Sequence, residues 1–266
     1  MSAMYHDQYF RLHHANGRFA AMRYHPKIPA KLHHKIRHQL PQKVCILDLE
    51  TVRTSFKTPE KSVLAFVGVR IYTLHGDRYY PRKHRCFFPY QTKELETFLK
   101  DFQGIVIGHN VLNFDYRVLR PLISLDGVIE KTVDTLAFLY SKNRKEFSGL
   151  SLDDLGRVNL RKGKTLKGKF VSELWARGRH KQVIAYNNND CILTKGLWWH
   201  LIRKRYVLIK RMRWQDEFEL WYREDRYTSV LRDISLPEIP KLTGKEPMYS
   251  FTTWNRRIER FGSILR

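Results

Sequence analysis

Residues 44–51 read Val-Cys-Ile-Leu-Asp-Leu-Glu-Thr, an apolar run that carries two carboxylates, Asp48 and Glu50. Side chains alternate across a strand, so these two acids share one face while Leu47 and Leu49 take the other. Two acids so close repel, and burial raises the cost of ionising either. A hard divalent cation resolves the conflict, because Mg²⁺ and Mn²⁺ favour carboxylate oxygens. Taken alone, the stretch is equally a strand end with exposed acids; the outcome depends on whether other acids converge on it.

Working outward, two more stretches supply candidates. In GHNVLNFDYRVL a short apolar strand gives way to a helix, placing Asp115 at a strand's carboxyl edge, where open α/β sheets build sites. In IAYNNNDCILTKGLW, Tyr186 and Asp190 lie four apart, on one face of a helix. A helix-capping Asp115 and a half-buried Tyr186 are the plainer readings of each alone. Asp134 is a further carboxylate in KTVDTLAFLY, able to replace Asp115 if the motif is misplaced, and is assigned a structural role.

The coarse pattern is α/β. Strands are expected at 44–50, 63–74 and about 79–88, with a turn at His75-Gly76-Asp77. A helix follows over KELETFLKDF, then a strand at GIVIGHN, a helix over NFDYRVLRPL, and a strand running into a helix at KTVDTLAFLY. SLDDLGRVNL opens on a serine cap, and about 180–210 is expected to be one long helix. Three units are expected: a basic arm at 1–43, an α/β domain at 44–210, and an aromatic extension, helical or irregular, at 211–266.

Three motifs in order, D-x-E-T (Asp48, Glu50, Thr51), N-x-x-x-F-D (Asn110, Phe114, Asp115) and Y-x-x-x-D (Tyr186, Asp190), resemble those of the DEDD exonuclease superfamily. The tyrosine makes the last motif similar to the DEDDy branch, which includes the proofreading domain of family B DNA polymerases. The resemblance covers about residues 43–205. It implies an RNase H-like mixed five-stranded sheet flanked by helices, and 3′–5′ hydrolysis of single-stranded DNA or RNA. It also implies two ions of Mg²⁺ or Mn²⁺, held ~4 Å apart in two-metal phosphodiester chemistry. Asp48 would bridge them, with Glu50 and Asp190 on one ion and Asp115 on the other. Tyr186, whose ordinary pKa of about 10 makes it a poor base, would orient the attacking water. Thr51, Asn110 and Phe114 would contact the terminal nucleotide.

Composition agrees with a polyanionic partner. The chain has 49 Lys+Arg against 26 Asp+Glu, a net +23 over 266 residues, and nucleic acid is the commonest partner of such a charge. RKGKTLKGK (161–169) holds Arg161, Lys162, Lys164, Lys167 and Lys169 without an acid, suiting a loop that grips a strand backbone. In the tail Trp214, Trp221, Tyr222 and Trp254 interleave with arginines, as stacking platforms do, although helical spacing equally places Trp214 and Phe218 in a core. The arm holds seven of the twelve histidines; His34 and His38 share a helical spacing, but no cysteine or acid nearby completes a metal site. Arm and tail are also the natural contacts for a protein partner.

Three cysteines without CxxC spacing suit a reducing, cytoplasmic compartment and argue against a disulfide framework. No apolar run approaches the ~20 residues that span a bilayer. The competing readings are a non-catalytic nucleic-acid-binding subunit and a nuclease active only within a larger complex.

Overall fold

β1 (Lys43–Arg53) is the middle strand of the sheet, and its two faces explain the layers around it. Cys45, Leu47 and Leu49 point to one side, into a core completed by Leu95, Leu99, Val118 and Leu119. Val44 and Ile46 point to the other, against Leu193, Leu197, Trp198 and Leu201. Apolar residues on both faces require cover on both, so helices sandwich the sheet. Asp48 and Glu50 continue the Val44–Ile46 row past the end of that second core.

The computed structural model describes residues 37–142, 149–204, 206–213, 225–231 and 239–264. β2 (Val63–His75) and β3 (Arg78–Phe87) form a hairpin turned at Gly76-Asp77. α1 (Thr92–Asp101) leads to β4 (Ile105–Gly108), α2 (Asp115–Leu119), β5 (Thr132–Asp134) and α3 (Thr135–Lys142). α4 (Leu152–Leu155), capped by Ser151, runs into a π turn at Gly156–Leu160, and α5 (Val171–Ala176) precedes the long α6 (His180–Lys204). The sheet order is β3-β2-β1-β4-β5, with β2 antiparallel to its neighbours and β1, β4 and β5 parallel. The mixed five-stranded sheet flanked by helices is as expected from the sequence.

The long helix ends sooner than its spacing predicts. α6 stops at Lys204, and β6 (Val207–Arg213) pairs antiparallel with β7 (Asp225–Leu231). Val207 and Ile209 alternate into the core, a strand periodicity in an apolar run too short to be told from helix by sequence. Asn159 stands in for a neighbouring strand there, accepting from Leu208 N at 2.7 Å and donating to Leu208 O at 2.9 Å. β6 thus crosses residue 210, where the sequence places a boundary.

The C-terminal segment adds α7 (Ile239–Leu242) and α8 (Phe251–Ile264). Trp254 is buried, and its indole N–H donates to Leu112 O at 2.8 Å, so it is a core residue and not a stacking platform. Trp214, Phe218, Trp221, Tyr222 and the histidine pair's His34 lie outside the described residues. Cys45 and Cys191 are buried free thiols, and Cys86 is a half-buried one. Among the described residues no helix is long and apolar enough to cross a membrane.

Asp134, at the end of β5, has the structural role assigned to it. Its carboxylate accepts from the backbone N–H of Asn110, Leu112, Leu136 and Ala137, at 2.9–3.1 Å. It ties the 109–114 loop to the first turn of α3. Asp134→Ala leaves these donors buried without partners and should cost about 3 kcal/mol, seen as a lower denaturant midpoint.

Candidate active site

The parallel pairing of β1 with β4 ends at Ile46–Ile107, and the two strands then part. The gap at their carboxyl ends is the crevice in which α/β sheets place functional groups. Asp115, at the start of α2, closes it: its Oδ1 accepts from Leu49 N at 3.0 Å, where a sheet partner would otherwise stand. Asp115 is thereby fixed between Asp48 and Glu50 along the chain of β1, and it is buried.

On the opposite strand Asp48 faces Gly68. No side chain fits at Gly68, because a Cβ there would overlap the Asn187 carboxamide and approach His84. The glycine lets α6 come down onto the sheet at this level, bringing Tyr186, Asn187 and Asp190 with it. Asp48, Glu50 and Asp190 each offer a carboxylate oxygen, and these oxygens lie within 4.8 Å of one another. Glu50 and Asp190 are buried and Asp48 is half-buried.

Such a cluster resists ionisation. Burial, then the Asp190 charge, pushes the Asp48 carboxyl up to about 7. Burial, then Asp48 and Asp190, holds Glu50 well above the usual carboxylate range. Asp115 is raised well by burial and by Asp48, and Asp190 is raised by burial even though Lys164 opposes the shift. Asp190 Oδ1 is buried with no hydrogen-bond partner. Converging hard-oxygen donors and an orphaned buried oxygen fit a divalent cation. Asp48, Glu50 and Asp190 would hold it, with Asp115 beside Asp48.

Asn187 belongs to the site and was not singled out from sequence. Its Nδ2 donates to Asp48 Oδ2 at 2.8 Å and lies 3.4 Å from Glu50 Oε1, spanning the two acids. His84 Nε2 sits 3.0 Å from Asn187 Oδ1; since an amide oxygen only accepts, the imidazole donates there and fixes the amide's orientation. Burial lowers the His84 pKa, in keeping with a neutral ring. Asn187 stands three residues before Asp190, one turn along the same face, which is the signal that would have found it.

The remaining expected residues separate into groups. Tyr186 is buried, with its hydroxyl 3.1 Å from Lys164 Nζ, and burial raises its pKa further. Thr51 is buried beside the 54–62 loop, its carbonyl accepting from Ser172 Oγ at 3.3 Å. Asn110, with φ of 70°, shapes the loop before α2 and donates its backbone N–H to Asp134. Phe114 is half-buried, and its ring centroid lies 5.9 Å from that of Phe56, which is 82% exposed. Of the basic stretch, Arg161, Lys162 and Lys167 are exposed, and the Lys169 side chain lies outside the described set. Lys164 instead turns inward, its Nζ 2.6 Å from Asp190 Oδ2.

No family model and no curated protein matches the chain. Among solved structures it is similar to E. coli exonuclease I in complex with a dT13 oligonucleotide, at 10% identity over 64% of this chain and 55% of that one, with a TM-score of 0.38. The ExoI/SSB-Ct complex gives 11%, 64%, 55% and 0.36. The zinc-bound form of the E. coli ExoI–ssDNA complex gives 10%, 83%, 68% and 0.34. The chain spans about half the length of the first two of these proteins.

Proposed function

We propose that this protein is a metal-dependent 3′–5′ exonuclease of the DEDDy type, acting on single-stranded DNA or RNA. The observation that carries this reading is the convergence of Asp48, Glu50 and Asp190 oxygens within 4.8 Å, beside a buried Asp115 and a Tyr186 hydroxyl. A buried acid cluster without ions would be a plain loss of stability, so its retention in a strongly basic chain favours phosphodiester chemistry over simple binding. When bound, Mg²⁺ or Mn²⁺ supplies an acidified water and neutralises charge developing on the phosphate.

The chain's own residues do the rest. Asn187 holds Asp48 and Glu50 in one orientation from α6, and Leu49 N–H holds Asp115. Tyr186 keeps its proton at neutral pH because burial raises its pKa, so it is no base, and its hydroxyl orients the attacking water. The Phe56–Phe114 pair, in which Phe114 directly precedes Asp115 and Phe56 is open to solvent, stacks the terminal base, as exposed rings do for single strands. Arg161, Lys162 and Lys167 follow the phosphates behind it.

The test is a panel of 5′-labelled DNA, RNA and duplex substrates, each with a free or a blocked 3′ end, incubated with Mg²⁺, Mn²⁺ or chelator. Stepwise shortening from free 3′ ends, lost with chelator, is expected. Phe56→Ala should raise KM about tenfold, the scale of one lost base stack, with kcat kept. Cleavage of blocked strands would instead identify an endonuclease, and salt-sensitive binding without cleavage a binding subunit.

A further inference from the structure

We infer that Lys164 is a resident counter-ion of the carboxylate centre, a positioning residue that limits how tightly the centre holds a divalent cation. This rests on reading Asp48, Glu50 and Asp190 as cation ligands.

Lys164 does not share the setting of its basic neighbours. Arg161, Lys162 and Lys167 are exposed, whereas the Lys164 ammonium reaches Asp190 Oδ2 at 2.6 Å and the Tyr186 hydroxyl at 3.1 Å, and lies 5.3 Å from the Tyr186 ring centroid. An ammonium 2.6 Å from one carboxylate of the cluster places a positive charge within a group of acids.

The loop that delivers it is built for the purpose. Asp153 Oδ1 accepts from Lys164 N at 2.7 Å, and both Asp153 oxygens are held by Arg157 Nε at 3.0 Å. Lys162 N donates to Gly156 O at 3.2 Å, and Asn189 Nδ2 to Gly163 O at 3.4 Å, which ties the loop to the π turn and to α6. Gly163 presses so closely on Asp153 and Arg157 that a Cβ there would lie 2.6–2.7 Å from them. These contacts fix the backbone on both sides of one lysine and aim its side chain inward.

Two consequences follow from charge alone. One ammonium offsets part of the carboxylate repulsion, which lets the acids sit together. The same charge repels an incoming cation, so the centre binds metal less tightly than its carboxylates would alone. Through its donation to Tyr186, the ammonium also leaves that hydroxyl as an acceptor on one side, with its own proton directed elsewhere.

The experiment is calorimetric titration of the full chain with MnCl₂, without substrate, for the wild type, Asp48→Asn, Lys164→Met, Lys164→Gln and Lys164→Arg. Lys164→Met and Lys164→Gln should bind Mn²⁺ at least roughly tenfold tighter, the effect of removing one nearby charge at a partly buried site. Lys164→Arg should stay near the wild type. At saturating Mn²⁺ the Met variant should still lose kcat, because Tyr186 has lost its donor. Lys164→Gln keeps length and polarity, so the comparison survives a Met variant that misfolds. Unchanged or weaker Mn²⁺ binding in the Gln variant would overturn the counter-ion role while Asp48→Asn still showed lost binding. Absence of Mn²⁺ binding in the wild type would remove the cation-site reading itself, and the counter-ion role with it.

Discussion

Asp48→Asn should lower the rate of strand shortening by about 10³-fold or more, the scale of several kcal/mol of lost cation-mediated stabilisation. The same substitution should leave the metal-free protein as stable as the wild type or more so. Asparagine keeps the shape and still accepts from Asn187, but it removes one of the mutually repelling acids, Asp48, whose own carboxyl is pushed up to about 7 by burial. At pH 8 a rise in Tm of roughly 3–6 °C is expected, corresponding to one or two kcal/mol in a domain of this size. Paired measurements of kcat and of thermal unfolding check this. Activity within tenfold of the wild type would show that Asp48 holds no essential cation, and a lower Tm would show that its carboxylate is a structural anchor instead.

The second large effect joins pH to metal. Asp48, Glu50, Asp115 and Asp190 all have carboxyl groups raised in the folded protein, chiefly by burial. An unfolded carboxylate titrates near 4, so between about pH 4 and 7 the folded chain binds more protons than the unfolded one. Their contribution to stability is complete below that window and disappears as pH rises through it. Metal-free protein should therefore lose Tm as pH rises from 5 to 8. Divalent ions compete with those same protons, so Mn²⁺ at a hundred times its dissociation constant should raise Tm by roughly 5–10 °C at pH 8 and by little at pH 5. The increment should vanish in Asp48→Asn, which separates the site from the many histidines that titrate in the same range. An equal increment at both pH values would mean that the ion binds elsewhere.

Much of this was legible in the chain because strand geometry leaves few choices. Alternation alone puts Asp48 and Glu50 on one face, and the four-residue step puts Tyr186 and Asp190 on another; α6 then has only to lie across β1. What sequence could not supply were the contacts made by folding. Asn187 sits in a run of three asparagines, and only its angle on the helix separates it from Asn188 and Asn189. Lys164 reads as one cation among five in a loop, since the inward turn depends on Asp153 and Arg157, outside that stretch, closing on Gly163 within it. Helix and strand were confused at 207–210, where four residues suit either period. Trp254 looked like a stacking ring beside arginines; its partner, the Leu112 carbonyl, is far away in sequence.

That last contact has a practical meaning. Three anchors from the final stretch reach the wall behind the candidate crevice: Met248 Sδ accepts from Asp134 N, Phe251 N donates to Glu130, and Trp254 to Leu112. Leu112 lies in the loop that leads into Asp115, Asp134 holds that loop by its carboxylate, and Glu130 lies just before β5. A fragment trimmed to the motif-bearing middle would keep every acid in its primary sequence and yet lose the brace behind one of them. For expression, grafting or domain swapping, a fragment should keep Met248 and α8 with the sheet.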